Sequence, residues 1–256
     1  MEMTWMSRLH RLILCADIER FSDSDRSDAH RVAAHDGMYD AVEAALGACG
    51  VTWADCYHED RGDGLLLLFR PDVPKDRVVR DLPWALAAAL AEHNHVHAVQ
   101  AQVRLRIAVH AGEVQHDGRG VVGDAVNAAF RLLDARPLRD ALATSSGSVA
   151  VIASEPIYHD VIRHTPASRP DTYRQIEVEV KETRTTAWVC LPDDARSLGG
   201  STGTRTPSSP VPDLAGSGGE VAADDGVAPP GTSMRARASG AARIFQAGRD
   251  QHITES

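Results

Sequence analysis

The chain has 256 residues, with 27 Lys and Arg against 36 Asp and Glu, a formal net charge of -9 with His neutral. That balance argues against a non-specific nucleic-acid or anionic-membrane surface, and no stretch reaches the roughly 18 continuous apolar residues that a membrane span needs. Cys15, Cys49, Cys56 and Cys190 fit neither paired metal-ligand spacing nor a disulfide framework, and read as core thiols.

From the N-terminus, MEMTWMSRLHR has no apolar stretch ahead of its charges, so export is not expected and a cytoplasmic location is. RLILCA then reads as a buried strand that runs out at Asp17. AHRVAAHDGMYDAVEAALGAC repeats its apolar residues at helical spacing, with Gly50 placed to end the helix. CYHEDRGDGLLLLF reads as a hairpin, two short strands about its glycines. A helix is expected over LPWALAAALAEHN, a strand over VRLRIAVHAGEV, and another helix from near Gly123 through DAVNAAFRLLDA. VAVIAS follows as a strand, EPIYHDVIRH as a helix, and YRQIEVEV with TTAWVCLP as a closing strand pair. This order predicts an α+β fold. It has a ferredoxin-like core (βαββαβ) with C-terminal αββ additions, its antiparallel-rich sheet covered by helices.

That domain is expected over residues 8–192. From Asp193 to Gly240 there is no aromatic residue, and Gly, Ser and Pro dominate. Such a segment cannot bury enough apolar surface to offset its ordering entropy, so residues 193–240 read as a disordered linker. The tail, residues 241–256, regains Ile244, Phe245 and Ile253 and is a candidate partner-binding segment.

Two carboxylates stand out. Asp17 sits where an apolar strand runs into DIERFS, and Asp63 lies between two glycines in the hairpin turn. In a ferredoxin-like sheet the first strand lies beside the hairpin, so both can arrive at one sheet end. Carboxylates so placed repel unless a cation lies between them, and such oxygen ligands suit Mg²⁺ or Mn²⁺ held alongside substrate phosphates. Gly62 and Gly64 give the backbone room to turn and approach phosphate. The plainer alternative is a polar turn and a strand-end cap. In VVGDAVNAAFRLL, Val126, Phe130 and Leu133 mark a buried face, while Asn127 and Arg131, four apart, share a neighbouring one. An amide beside a guanidinium can orient a ribose oxygen and hold developing phosphoryl charge. A solvated helix face is the alternative.

In this order the stretches ADIERFS, RGDG, LRIAVHAGEV and GDAVNAAFR resemble the motifs of the class III adenylyl/guanylyl cyclase catalytic domain. The resemblance implies that Asp17 and Asp63 hold two Mg²⁺ or Mn²⁺ ions per site, with Ile18 contributing to the metal and nucleotide site and Phe21 packing behind. It makes Asn127 the ribose-orienting residue and Arg131 the group that stabilises the transition state. The implied reaction turns a nucleoside triphosphate into a 3′,5′-cyclic nucleotide and pyrophosphate. A homodimer with composite active sites is implied, the aspartates coming from one subunit and the Asn/Arg pair from the other.

The base-reading positions depart from the pattern. Four residues before Asp63, where adenylyl cyclases carry Lys, stands Glu59, as in guanylyl cyclases. The companion position is Gly120, and the insertion before the nucleotide helix is cut to QHDGRG. This resembles the divergent bacterial cyclases of antiphage signalling, some of which make cyclic UMP or CMP. Glu59 and Arg61 are the candidates for base contact, with a solvated hairpin charge as the plain alternative for Arg61. For pyrophosphate, Lys181 is the candidate and Arg184 its alternative. His93, His95 and His97 read as a polar helix end, and His110 as a packed ring with a satisfied nitrogen. Two other readings stay open: a catalytically silent nucleotide-sensing or scaffolding module, and another metal-dependent phosphotransferase.

Overall fold

The computed structural model describes residues 8–116, 120–180 and 183–194, all within the first of the chain's two units, Met1–Thr204. Lys181 and residues 195–256 lie outside the described residues.

The first strand, β1 (Leu9–Ile18), is buried without interruption from Arg11 to Ala16. A strand covered on both faces needs such a continuous run, and RLILCA supplies it. The chain then enters α1 (Asp28–Ala48), whose N-cap Ser27 accepts a bond from His30 N while His30 Nδ1 accepts one from Ser27 N. This is a capping box with His in the usual Glu position. The hairpin follows as β2 (Cys56–Asp60) and β3 (Gly64–Phe69). The next helix, α2 (Lys75–Val96), begins well before LPWALAAALAEHN and carries Pro83 inside it. Leu82 and Pro83 are both buried there, so packing outweighs the usual cost of an internal proline.

Next come β4 (Leu105–His116), the short β5 (Val121–Val122) and α3 (Asp124–Leu133). A helix not expected from the sequence, α4 (Arg136–Thr144), leads into β6 (Val149–Ser154). The short α5 (Glu155–Asp160), β7 (Arg174–Val180) and β8 (Thr183–Cys190) complete the domain. Among the described residues the strands form one sheet in the order β2-β3-β1-β4-β6-β8-β7, with β5 on β4. Every pairing is antiparallel except β4 with β6. The arrangement is the ferredoxin-like core extended at one edge, as the element order predicts.

The sheet divides the core in two. Leu12, Leu14, Ala16 and Ile18 of β1 join the cluster under α1 and α2, while Ile13 and Cys15 join the one under α3 and α4. Burying each such leucine stabilises the fold by roughly 1.5–3 kcal/mol. All four cysteines are free and buried. The chain stays packed past Pro192: Asp193 accepts from Ser148 N and Val149 N, and Asp194 from Ser146 Oγ. No helix of the described residues is long and apolar enough to cross a membrane.

Candidate active site

Register brings the acidic pair together. Asp17 lies opposite Gly64 of β3 on one side and Arg106 of β4 on the other. The hairpin turn is closed by Arg61 N donating to Gly64 O, leaving Gly62 and Asp63 as its tip. Gly62 has φ +83, the conformation that a two-residue hairpin loop needs at its first central position. At Gly64 a Cβ would stand 2.3 Å from Ala16 O, so only glycine lets the turn press against β1. Ile18 N then donates to Asp63 O at 2.8 Å, which seats Asp63 at the end of β1. Ile18 turns its side chain into the opposite core, so only its backbone faces this end. Phe21 packs, half-buried, against that same core.

Asp17 already has a partner. Arg106 Nε and Nη2 donate to its two carboxylate oxygens at 2.8 and 2.7 Å, and both side chains are only 16% exposed. Burial nevertheless pushes the Asp17 carboxyl up to about 6; Arg106 opposes the rise, while Asp63 and Asp134 add to it. Arg106 is the residue that the sequence reading missed, taken there as one more strand position. Its signal was its place on the α3 face of β4, next to the strand that ends in Asp17.

A cation would suit this end of the sheet. Among the described residues no three His, Cys, Asp or Glu side chains form a ready metal cage. Two hard carboxylate oxygen donors are what Mg²⁺ or Mn²⁺ takes when phosphates and water complete its shell. The condition is that Arg106 yields Asp17.

Helix α3 covers the same face. It buries Ala125, Val126, Ala129, Leu132 and Leu133. Phe130, expected in the buried face with Val126 and Leu133, instead lies half-buried at the flank, beneath the Arg61 guanidinium at 5.4 Å. Asn127 is exposed and Arg131 half-buried, so Asn127 points away from the sheet that carries Asp17. The hairpin's α3 side gathers the candidate base-contact positions. Tyr57 OH donates to Glu59 Oε1 at 2.5 Å, and Arg61 Nη2 donates to Glu59 Oε2. A Cβ on Gly120 would lie 3.5 Å from Glu59 Oε1. Glu59 and Gly120 are therefore neighbours within one chain, and Tyr57 is an unforeseen third member.

The remaining candidates sit elsewhere. Lys181 lies outside the described residues, and its alternative, Arg184, pairs with Glu179 across the β7–β8 hairpin at 2.7 Å. His93 and His97 stack at 3.9 Å and bond backbone carbonyls at Ala101 and His93. His110 Nδ1 lies 2.8 Å from Ser154 Oγ, and burial pushes its pKa down.

No family profile and no curated protein matches the sequence. Among solved structures, the chain is similar to an adenylate/guanylate cyclase/hydrolase from Silicibacter pomeroyi. The two are 20% identical over 73% of this chain and 99% of that one, with a TM-score of 0.51. It is also similar to the guanylyl cyclase Cya2, at 18% identity over 72% of this chain and 92% of that one, with a TM-score of 0.47. A bacterial light-regulated adenylyl cyclase matches at 14% identity over 74% and 93% of the two chains, with a TM-score of 0.48. The first of these likenesses shows a shared fold.

Proposed function

We propose that this chain is a metal-dependent nucleotide cyclase that works as a homodimer with composite sites. The observation that carries the reading is the meeting of Asp17 and Asp63 at one sheet end; Asn127, exposed on α3 and turned away from that sheet, would serve the partner subunit's aspartates. In the reaction the ribose 3′-oxygen bonds to the α-phosphorus as the bond from that phosphorus to the pyrophosphate oxygen breaks. The hydroxyl proton passes to water and pyrophosphate leaves. Asp17 and Asp63, with the Ile18 backbone, would hold two Mg²⁺ or Mn²⁺ ions, which when bound lower the hydroxyl pKa and neutralise the leaving oxygens. Asn127 aligns the ribose, and Arg131 stabilises charge on the α-phosphate. Arg106, paired with Asp17 in the chain alone, would have to give up that pair for Asp17 to hold a cation, and would then offer its donors to phosphate oxygens. Lys181 or Arg184 meets the pyrophosphate.

A pyrimidine triphosphate is the favoured substrate, UTP before CTP, with GTP next because of Glu59. The product then serves as a messenger, as in antiphage signalling, within the cytoplasm, and the tail at residues 241–256 engages a protein partner. The Asp17–Arg106 pair favours one second reading, a nucleotide-binding module without turnover, because a locked Asp17 leaves one carboxylate for metal. Purified protein with Mn²⁺ and all four triphosphates separates the two by mass spectrometry. A cyclic product that Asp63→Asn abolishes supports the cyclase; normal triphosphate binding with no cyclic product overturns it.

A further inference from the structure

We infer that base choice at this site is made by the Arg61 guanidinium, with Glu59 and Tyr57 as its positioning residues. The chain then prefers a nucleotide whose base carries a keto oxygen, uracil or guanine, over its amine-bearing counterpart, cytosine or adenine. The inference rests on the cyclase reading for the identity of the pocket.

Strand alternation sets the cluster. Tyr57 and Glu59 lie opposite Leu68 and Leu66, both in the core under α3, so their side chains share the face of Asp17. There both oxygens of Glu59 are engaged, Oε1 by Tyr57 OH and Oε2 by Arg61. The ring of Tyr57 is itself held edge-on to His116 at 5.5 Å. A carboxylate with a donor already on each oxygen and a guanidinium beside it keeps lone pairs but accepts a further N–H less strongly than a free one.

Arg61 is in the opposite condition. Its guanidinium is anchored by Glu59 and by the Phe130 ring at 5.4 Å, yet the side chain is 43% exposed. Cation–π contact fixes the plane without occupying its N–H groups. A guanidinium offers donors only. Its complement is an acceptor edge, the keto oxygen of uracil or O6 and N7 of guanine. The exocyclic amine of cytosine or adenine would set donor against donor. The companion position is Gly120, which brings no side-chain oxygen to accept an amine. Set against the Arg61 donors, the amine at C4 of cytosine or C6 of adenine loses its water and gains no partner there.

The test compares UTP with CTP and GTP with ATP on the full chain with Mn²⁺, as kcat/KM ratios. Equilibrium binding of the same four nucleotides as non-hydrolysable α,β-methylene analogues runs alongside. The keto member of each pair is expected to lead by roughly tenfold or more. Arg61→Gln should bring both ratios near one, and Arg61→Lys should restore part of them. Tyr57→Phe and Glu59→Gln should shrink the ratios without reversing them. Preference for the amine-bearing member overturns the assignment, and so does loss of GTP preference in Glu59→Gln with no change in Arg61→Gln. If nothing turns over but the analogues bind with the expected ratios, the cyclase reading falls and Arg61 stands as the base reader. Turnover without a keto preference does the reverse.

Discussion

The two faces of the sheet are made from alternate residues of the same strands, and they diverge where β1 ends. On the α1 and α2 side, Leu12, Leu14, Ala16 and Ile18 are apolar to the last residue, and Leu105, Ile107 and Val109 of β4 match them. On the α3 side, Ile13 and Cys15 give way to Asp17, and Ala108 is flanked by Arg106 and His110. An ion pair buried as deeply as Asp17–Arg106 is seldom worth more than the apolar pair that would fit in its place. The first face is thus what folding requires, and the charges at the end of the second have to be explained by chemistry.

Substitution should separate the two faces sharply. Asp63→Asn is expected to cut cyclic-nucleotide formation by on the order of 10²-fold or more, while moving stability by no more than about 0.5 kcal/mol at its exposed turn. Leu67→Ala, fully buried under α1 and α2, should cost roughly 2–5 kcal/mol in urea unfolding and leave kcat per folded molecule unchanged. The division fails if Leu67→Ala removes kcat while Asp63→Asn keeps it.

The same contrast explains what could be read from the sequence. Continuous apolar runs such as RLILCA and GLLLLF announce strands buried on both sides, and the glycines about Asp63 announce the turn. The start of α2 was hidden because Pro83 reads as a helix boundary, yet the pyrrolidine is accommodated inside a packed helix. Helix α4 was missed because Leu138 and Leu142 are its two buried anchors in nine residues, too short a pattern to stand out. Asp17, Asp63, Asn127 and Arg131 were legible as motif positions. Arg106 was not, since it matters through a cross-strand neighbour that register alone reveals, and Tyr57 was not, since its tie to Glu59 is a side-chain hydrogen bond between residues two apart on β2.

Whether the charged face is completed by a second copy is a test of smaller amplitude. On the proposed reading Asp63→Ala removes a metal carboxylate and Arg131→Ala a charge-stabilising group, so in a composite site each lesion falls on a different subunit. A mixed dimer then keeps one intact site of two, the other carrying both lesions. Half the dimers in an exchanged equimolar mixture are mixed, so activity should approach roughly a quarter of wild type, against the on the order of 10²-fold deficit of each variant alone. No recovery with heterodimers verified by native mass spectrometry would place the whole site within one chain.

The smallest effect lies on the structural side of the hairpin itself. Where Tyr57 and Glu59 face α3, Asp60 faces α1. Its Oδ1 accepts from Gly62 N at 2.6 Å, and its Oδ2 accepts from Tyr39 OH at 2.9 Å with His35 Nε2 at 2.8 Å. The Gly62 bond first, then Tyr39 and His35, hold the Asp60 carboxyl below its ordinary value. Burial and Asp60 in turn push the Tyr39 hydroxyl up to about 12, so it stays a donor. A carboxyl whose folded pKa is depressed contributes stability above its unfolded value, about 3.9. That contribution is lost as pH falls through the folded one. Asp60 is 52% exposed, so solvent screening should keep the contribution under about 1 kcal/mol. Urea unfolding of wild type and Asp60→Asn at a series of pH values should show a gap near neutrality that closes in acid, as pH falls through the depressed folded value. A gap that stays constant or widens in acid would mean that the carboxylate's charge does not hold the turn, and that Gly62 and Gly64 set the place of Asp63 by backbone geometry alone.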